Sequence, residues 1–179
     1  SSFAVFVDTI KKGGVVRAIA VKDADKQPRS YFDKLNDWAK SIDMPGLGDV
    51  TYVDENVKGP IAKFLSPEQL AELKSKTHLE GNGVVFFVCD KEKIANNLAG
   101  QVRQKLGIDL NLLSNSFEMC WIVDFPMFEL NEDTGQIEFS HNPFSMPQGG
   151  MDALLNTPPL EIKAYQYDIV CKPCYINSG

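Results

Sequence analysis

The chain has 179 residues, of which 44% are hydrophobic and 23% charged, the balance of a packed globular protein and not of a disordered one. No apolar run approaches the roughly 18 residues needed to span a bilayer. The formal net charge of −6 argues against a protein whose main work is neutralising phosphates, while leaving room for a local basic patch.

The N-terminal run Phe3-Ala4-Val5-Phe6-Val7-Asp8 has no basic region before it and does not resemble a signal peptide. Its composition predicts a strand over Phe3 to Ile10. Lys11-Lys12-Gly13-Gly14 then turns it into a second strand, Val15 to Lys22. Gln27-Pro28-Arg29-Ser30 opens a helix. Tyr31, Phe32, Leu35, Trp38, Ala39 and Ile42 recur at helical spacing, so one face is buried, and Pro45-Gly46 ends it. Asp49 to Val53 is a short strand.

Ser66 marks the next helix start. It can cap, Pro67 occupies the first helical position, and Gln69 can complete a capping box. His78 falls at the end of this helix, where a histidine suits the local dipole. The continuous apolar run Val84-Val85-Phe86-Phe87-Val88-Cys89 predicts a central strand. Asp90 is placed to cap a third helix, with Ile94, Leu98, Val102 and Leu106 in line and Gly107 ending it. Residues 1 to about 110 thus predict an α+β fold, a mainly antiparallel sheet with helices packed on one face.

After about residue 117 the character changes. Met119 to Asp124 predicts a buried strand, and a strand pair turns at Asn131-Glu132-Asp133-Thr134-Gly135. A short helix follows near Met151 to Leu155, then a Thr157-Pro158-Pro159 breaker, then a strand from Ile162 to Cys171. These look like pieces of a larger sheet. Cys89 and Cys120 read as small buried hydrophobes. Cys171-Lys172-Pro173-Cys174 is a lone C-x-x-C, without the second ligand pair of a zinc site or the strand-then-helix setting of a redox motif. This cysteine usage fits a reducing, cytoplasmic location. No Gly-rich phosphate loop and no G-x-S-x-G is present. From the residues alone, the loop Ser140-His141-Asn142-Pro143-Phe144 holds an unexplained histidine.

Trp121-Ile122-Val123-Asp124-Phe125-Pro126-Met127-Phe128-Glu129, Ser140-His141-Asn142-Pro143-Phe144-Ser145-Met146-Pro147 and Tyr165-Gln166-Tyr167-Asp168-Ile169-Val170 occur in this order. Together they resemble the bacterial-type aspartyl-tRNA synthetases. Upstream, Gly59 to Leu65 and Val84 to Val88 resemble that family's insertion, the GAD domain, which is shared with one subunit of the glutamyl-tRNA amidotransferase. The resemblance implies three segments: residues 1–13 as a leading strand at the edge of the catalytic core, 14–117 as the GAD insertion domain, and 118–179 as a returning, incomplete slice of the class II core. It implies a parent that activates aspartate with ATP and magnesium, transfers it to tRNA (aspartate tRNA, with asparagine tRNA left open) and works as a homodimer. The class II motifs 2 and 3 and the anticodon-binding domain are not seen here. The fragment is therefore expected to be inactive alone and to bind no cofactor tightly.

Residue by residue, the resemblance makes His141 a contact to bound aspartate. An imidazole can hydrogen-bond a carboxylate from a fixed ring position. Asn142 stands where many members carry a second histidine. Asp168 matches a carboxylate on the ATP and magnesium side. Tyr175 stands where the family has a glutamate that ligates magnesium and ATP, and a neutral phenol cannot replace it. Two alternatives stand beside this reading. One is a tRNA-contacting or architectural binding module built on the GAD region. The other is a fragment of the amidotransferase subunit.

Overall fold

The computed structural model describes residues 3–114, 116–131, 133–140 and 143–172, without the side chains of Glu118 and Lys172. The chain divides into two compact units, residues 1–113 and 114–179.

The first unit runs α1 (Ala4–Lys11), β1 (Val15–Lys22), α2 (Arg29–Ser41), β2 (Gly48–Val53), β3 (Asn56–Lys58), α3 (Pro67–Lys76), β4 (Gly83–Asp90) and α4 (Glu92–Asp109), with single 3-10 turns at Ala24–Lys26 and Ala62–Phe64. Its four strands form one sheet in the order β1-β4-β2-β3, every pair antiparallel. The α+β class and the antiparallel sheet are as the sequence predicts.

The predicted first strand is instead the helix α1. Phe3 and Phe6 lie three residues apart, which puts them on one side of a helix but on opposite sides of a strand. Phe6 packs on Phe87 with ring centroids 5.4 Å apart, and Phe3 packs on Phe64 at 5.1 Å. The glycine pair read as a hairpin turn is a helix cap. Gly13 is left-handed (φ 78°), and its N–H and that of Gly14 donate to Ile10 O and Thr9 O. With α1 folded away, β1 pairs along its whole length with β4, from Val15↔Asp90 to Lys22↔Gly83.

The expectation of helices on one face is also corrected, because both faces of the sheet are covered. Val84, Phe86 and Val88 of β4 meet Leu35 and Ala39 of α2 and Ala95, Leu98 and Val102 of α4. Val85 and Phe87 point the other way, toward Phe6 of α1, Ile61 and Leu79, with Leu70 and Leu73 of α3 alongside. An unbroken apolar strand is the pattern that two-sided burial requires.

The helix ends show which local signals were decisive. At α3 the capping box forms as expected: Gln69 N–H donates to Ser66 Oγ (3.3 Å) and Ser66 N–H to Gln69 Oε1 (3.0 Å), with Pro67 first in the helix. His78 takes the left-handed position after α3 (φ 52°), and Leu79 N–H reaches back to Lys74 O while its side chain is buried. Conformation, beyond dipole, thus accounts for the site of His78. In α4, Lys91 and not Asp90 is the N-cap residue, and Ile94 is 46% exposed while Ala95 takes the inward place. Nor does Gly107 end this helix, which runs on to Asp109. Its missing side chain makes room for Leu113, whose Cδ2 lies 3.1 Å from where a Cβ would stand. No helix among the described residues is long and apolar enough to cross a membrane.

Candidate functional site

The residues singled out for chemistry lie in the second unit. It contains β5 (Glu118–Ile122), β6 (Phe128–Leu130), β7 (Ile137–Phe139), α5 (Gly150–Asn156), a 3-10 turn at Pro159–Glu161 and β8 (Asp168–Lys172). β5 and β8 form an antiparallel ribbon in the register Cys120↔Val170, Trp121↔Ile169 and Ile122↔Asp168. β6 and β7 form a second ribbon, as predicted. Asn131 stabilises its turn, its Oδ1 accepting from the N–H groups of Asp133 and Thr134.

The predicted buried strand at Met119 to Asp124 is an exposed one. Met119 is 71% and Trp121 65% exposed, and Cys120 lies open as well. The long strand expected from Ile162 is in order only from Asp168. Before that, Lys163 and Ala164 make single bridges to Pro126 and Pro147. Among the described residues the unit's hydrophobic core is small: Met127, Ile162 and Ala164, with Phe128 against them.

Asp168 opens β8 opposite Ile122, with its carboxylate exposed. His141, Asn142, Cys174 and Tyr175 lie outside the described residues. The chain on either side of 141–142 is tied to one frame. Ser140 N–H donates to Met127 O (3.1 Å), Tyr165 N–H donates to Met146 O (2.8 Å), and Gln148 N–H donates to Lys163 O (2.7 Å). Among the described residues no group of three His, Cys, Asp or Glu side chains could hold a metal ion.

Asp124 lies within the Trp121–Glu129 motif, yet its sequence context assigns it no role. It sits in the left-handed region (φ 61°) just after β5. Its Oδ1 accepts from Gln148 Nε2 (3.0 Å) and its Oδ2 from Lys163 Nζ (3.3 Å). The Gln148 hydrogen bond first, and then the Lys163 ammonium, hold its carboxyl below the usual carboxylate range. The partners stand 24 and 39 residues away, so no local spacing announces them.

The four-stranded antiparallel sheet, covered by helices on both faces, defines the first unit as an α+β module that holds its own core. The chain belongs to the GAD domain family, whose model matches residues 6–99, more than half of its length. It is also similar along its whole length to proteins named Aspartate--tRNA(Asp/Asn) ligase. That of Paramagnetospirillum magneticum is 54% identical over 180 residues, covering 100% of this chain and 20% of that protein. That of Beijerinckia indica is 54% identical over 183 residues, covering 99% and 31%. That of Rickettsia felis is 50% identical over 185 residues, covering 100% and 31%. The chain therefore spans 20% to 31% of the length of these relatives.

Proposed function

We propose that this chain is a piece of an aspartate–tRNA ligase, a class II aminoacyl-tRNA synthetase that activates aspartate with ATP and passes it to tRNA. The observation that carries this reading is the 50–54% identity to ligases across both units, the motif-bearing residues 118–172 included. The same observation favours a ligase over an amidotransferase subunit. The names of the relatives support tRNA acceptors for both aspartate and asparagine, and the parent is read as a cytoplasmic homodimer.

In this reading the second unit is one wall of the aspartate and ATP pocket. His141 would hydrogen-bond the substrate aspartate, and Asn142 beside it would keep a donor and an acceptor but shuttle no proton. Asp168 fits magnesium only as one member of a larger ligand set, since it offers a single exposed carboxylate and Tyr175 adds no anionic oxygen. Bound magnesium would offset charge on the ATP phosphates. This chain's own residues would hold aspartate at His141 and contribute one oxygen at Asp168. With motifs 2 and 3 missing, the 179-residue chain is expected to be inactive.

Aspartate-dependent ATP–pyrophosphate exchange tests the reading. The longer protein encoded by the surrounding reading frame should exchange, and the 179-residue chain should not. Exchange by the chain alone would contradict the inactivity, and exchange with another amino acid in place of aspartate would contradict the ligase assignment. A second role, a tRNA-contacting or architectural module, is favoured by the first unit's self-sufficient core. Filter binding to tRNA at low and moderate salt separates the two forms of it, since no retention at low salt leaves only the architectural one.

A further inference from the structure

We propose that Gln148 is a positioning residue of the aspartate pocket, clamping the Pro143–Pro147 strap to the frame formed by residues 124–127 and 162–165; this rests on the ligase reading above. One side-chain amide makes the central contacts. Gln148 Nε2 donates to Asp124 Oδ1 (3.0 Å) and to the carbonyl of Ala164 (3.2 Å), which uses both protons of a single NH2 group. Its backbone N–H donates to Lys163 O (2.7 Å). Beside it Pro147 is buried and bridged to Ala164, Tyr165 N–H donates to Met146 O (2.8 Å), and Ser145 Oγ donates to Oε1 of Gln166, the residue after the frame (3.4 Å). One residue therefore joins three stretches distant in sequence: the exit of β5, the approach to α5 and the approach to β8.

The chemistry at this point requires a donor with at least two protons, which the amide supplies without adding charge. Both groups facing Nε2 are acceptors, one of them a carboxylate, so only a donor with two protons satisfies them. A glutamate side chain of the same length would set a second carboxylate against Asp124. The ion pair between Lys163 and Asp124 is half exposed on each side and contributes little by itself. The strap begins two residues after position 141 in sequence, and Ser140, on the other side of that position, donates its N–H to Met127 O of the same frame. Loosening the clamp would therefore act on aspartate through the strap, without any direct contact from Gln148.

The test uses the longer protein. In the longer protein, Gln148→Met keeps side-chain length and removes both donors. Its KM for aspartate should rise roughly tenfold, as expected for losing a charge-assisted hydrogen bond, with KM for ATP within about twofold of wild type. Gln148→Glu should behave similarly near pH 7 and recover toward wild type near pH 5, where one proton shared between the introduced carboxylate and that of Asp124 can restore a hydrogen bond. The methionine variant should show no such recovery. Unchanged aspartate KM in both variants, or an equal rise in both KM values, would overturn the proposal. In the longer protein, amide hydrogen exchange at Gln148 and Tyr165 should quicken about tenfold in Gln148→Met while the β6–β7 ribbon keeps its protection; unchanged exchange would overturn the clamp itself. Absence of aspartate-dependent exchange in the wild-type longer protein would instead bring down the ligase reading, a result distinct from wild-type behaviour of the variants.

Discussion

The two units hold similar proportions of apolar residues and use them to different ends. In the first, clusters of thirteen and seven buried residues close around opposite faces of one sheet. In the second, three buried residues form the core among those described, while Phe117, Met119, Trp121, Phe144, Met151 and Leu155 stay exposed. A side chain such as Trp121 gains its stabilisation only when covered, at about 25 cal/mol per Å² of apolar surface removed from water. The first unit supplies its own cover. The second carries apolar side chains on both faces of a two-stranded ribbon, which by itself is marginal in water. The chain thus joins a self-contained module to surfaces suited to a larger sheet.

The contrast can be broken most sharply in the core. Phe86 is 1% exposed on the central strand. Phe86→Ala should lower the unfolding free energy of the first unit by about 3–5 kcal/mol, read from urea unfolding followed by backbone circular dichroism. A loss below about 1 kcal/mol would mean the two-sided core is not packed as described. Ser66→Ala removes the side-chain half of the capping box, the bond from Gln69 N–H to Ser66 Oγ, while leaving the bond from the residue-66 N–H to Gln69 Oε1 possible; it should cost about 1 kcal/mol, measured in the same way.

A smaller effect is pH-dependent. Burial raises the Asp49 carboxyl, an effect partly offset by the Thr51 hydroxyl and by Arg29. A raised folded-state pKa means the folded form holds this proton more tightly than the unfolded chain does. The ionised group therefore penalises folding at neutral pH, and the penalty fades as pH falls through the carboxylate range. Asp49→Asn should raise the melting temperature slightly at pH 7, with the gain vanishing under acid conditions; a gain independent of pH would point to another cause. The smallest change is expected in the second unit, where Trp121→Ala should alter the stability of the isolated chain by under about 0.5 kcal/mol. A loss of several kcal/mol would show that Trp121 is already covered.

Legibility in the sequence followed the range of the interactions. The start of α3 was legible because Ser66, Pro67 and Gln69 act within four residues. β4 was legible because an apolar run of that length has few other uses. α1 was not, since Phe3, Val5, Phe6 and Val7 suit a strand, and only Phe87 and Phe64, far along the chain, decide for a helix. Lys11-Lys12-Gly13-Gly14 misled for a related reason: the same glycine pair serves a hairpin or a helix cap. In the second unit the motifs around Trp121, His141 and Asp168 carried the family resemblance, while the Asp124–Gln148–Lys163 contacts joined segments whose spacing conveys nothing. Burial is not legible there because apolar composition marks what a strand is suited to cover, and the described residues of the unit leave β5 exposed.

Amide hydrogen exchange, resolved by segment, tests the contrast between the units most directly. In the 179-residue chain, residues 83–90 of β4 should be protected to the level of global unfolding, and residues 118–122 of β5 should exchange orders of magnitude faster. In the longer protein both segments should be strongly protected. Equal protection of β4 and β5 in the isolated chain, or a β5 that stays unprotected in the longer protein, would contradict the view that the second unit is part of a sheet completed elsewhere.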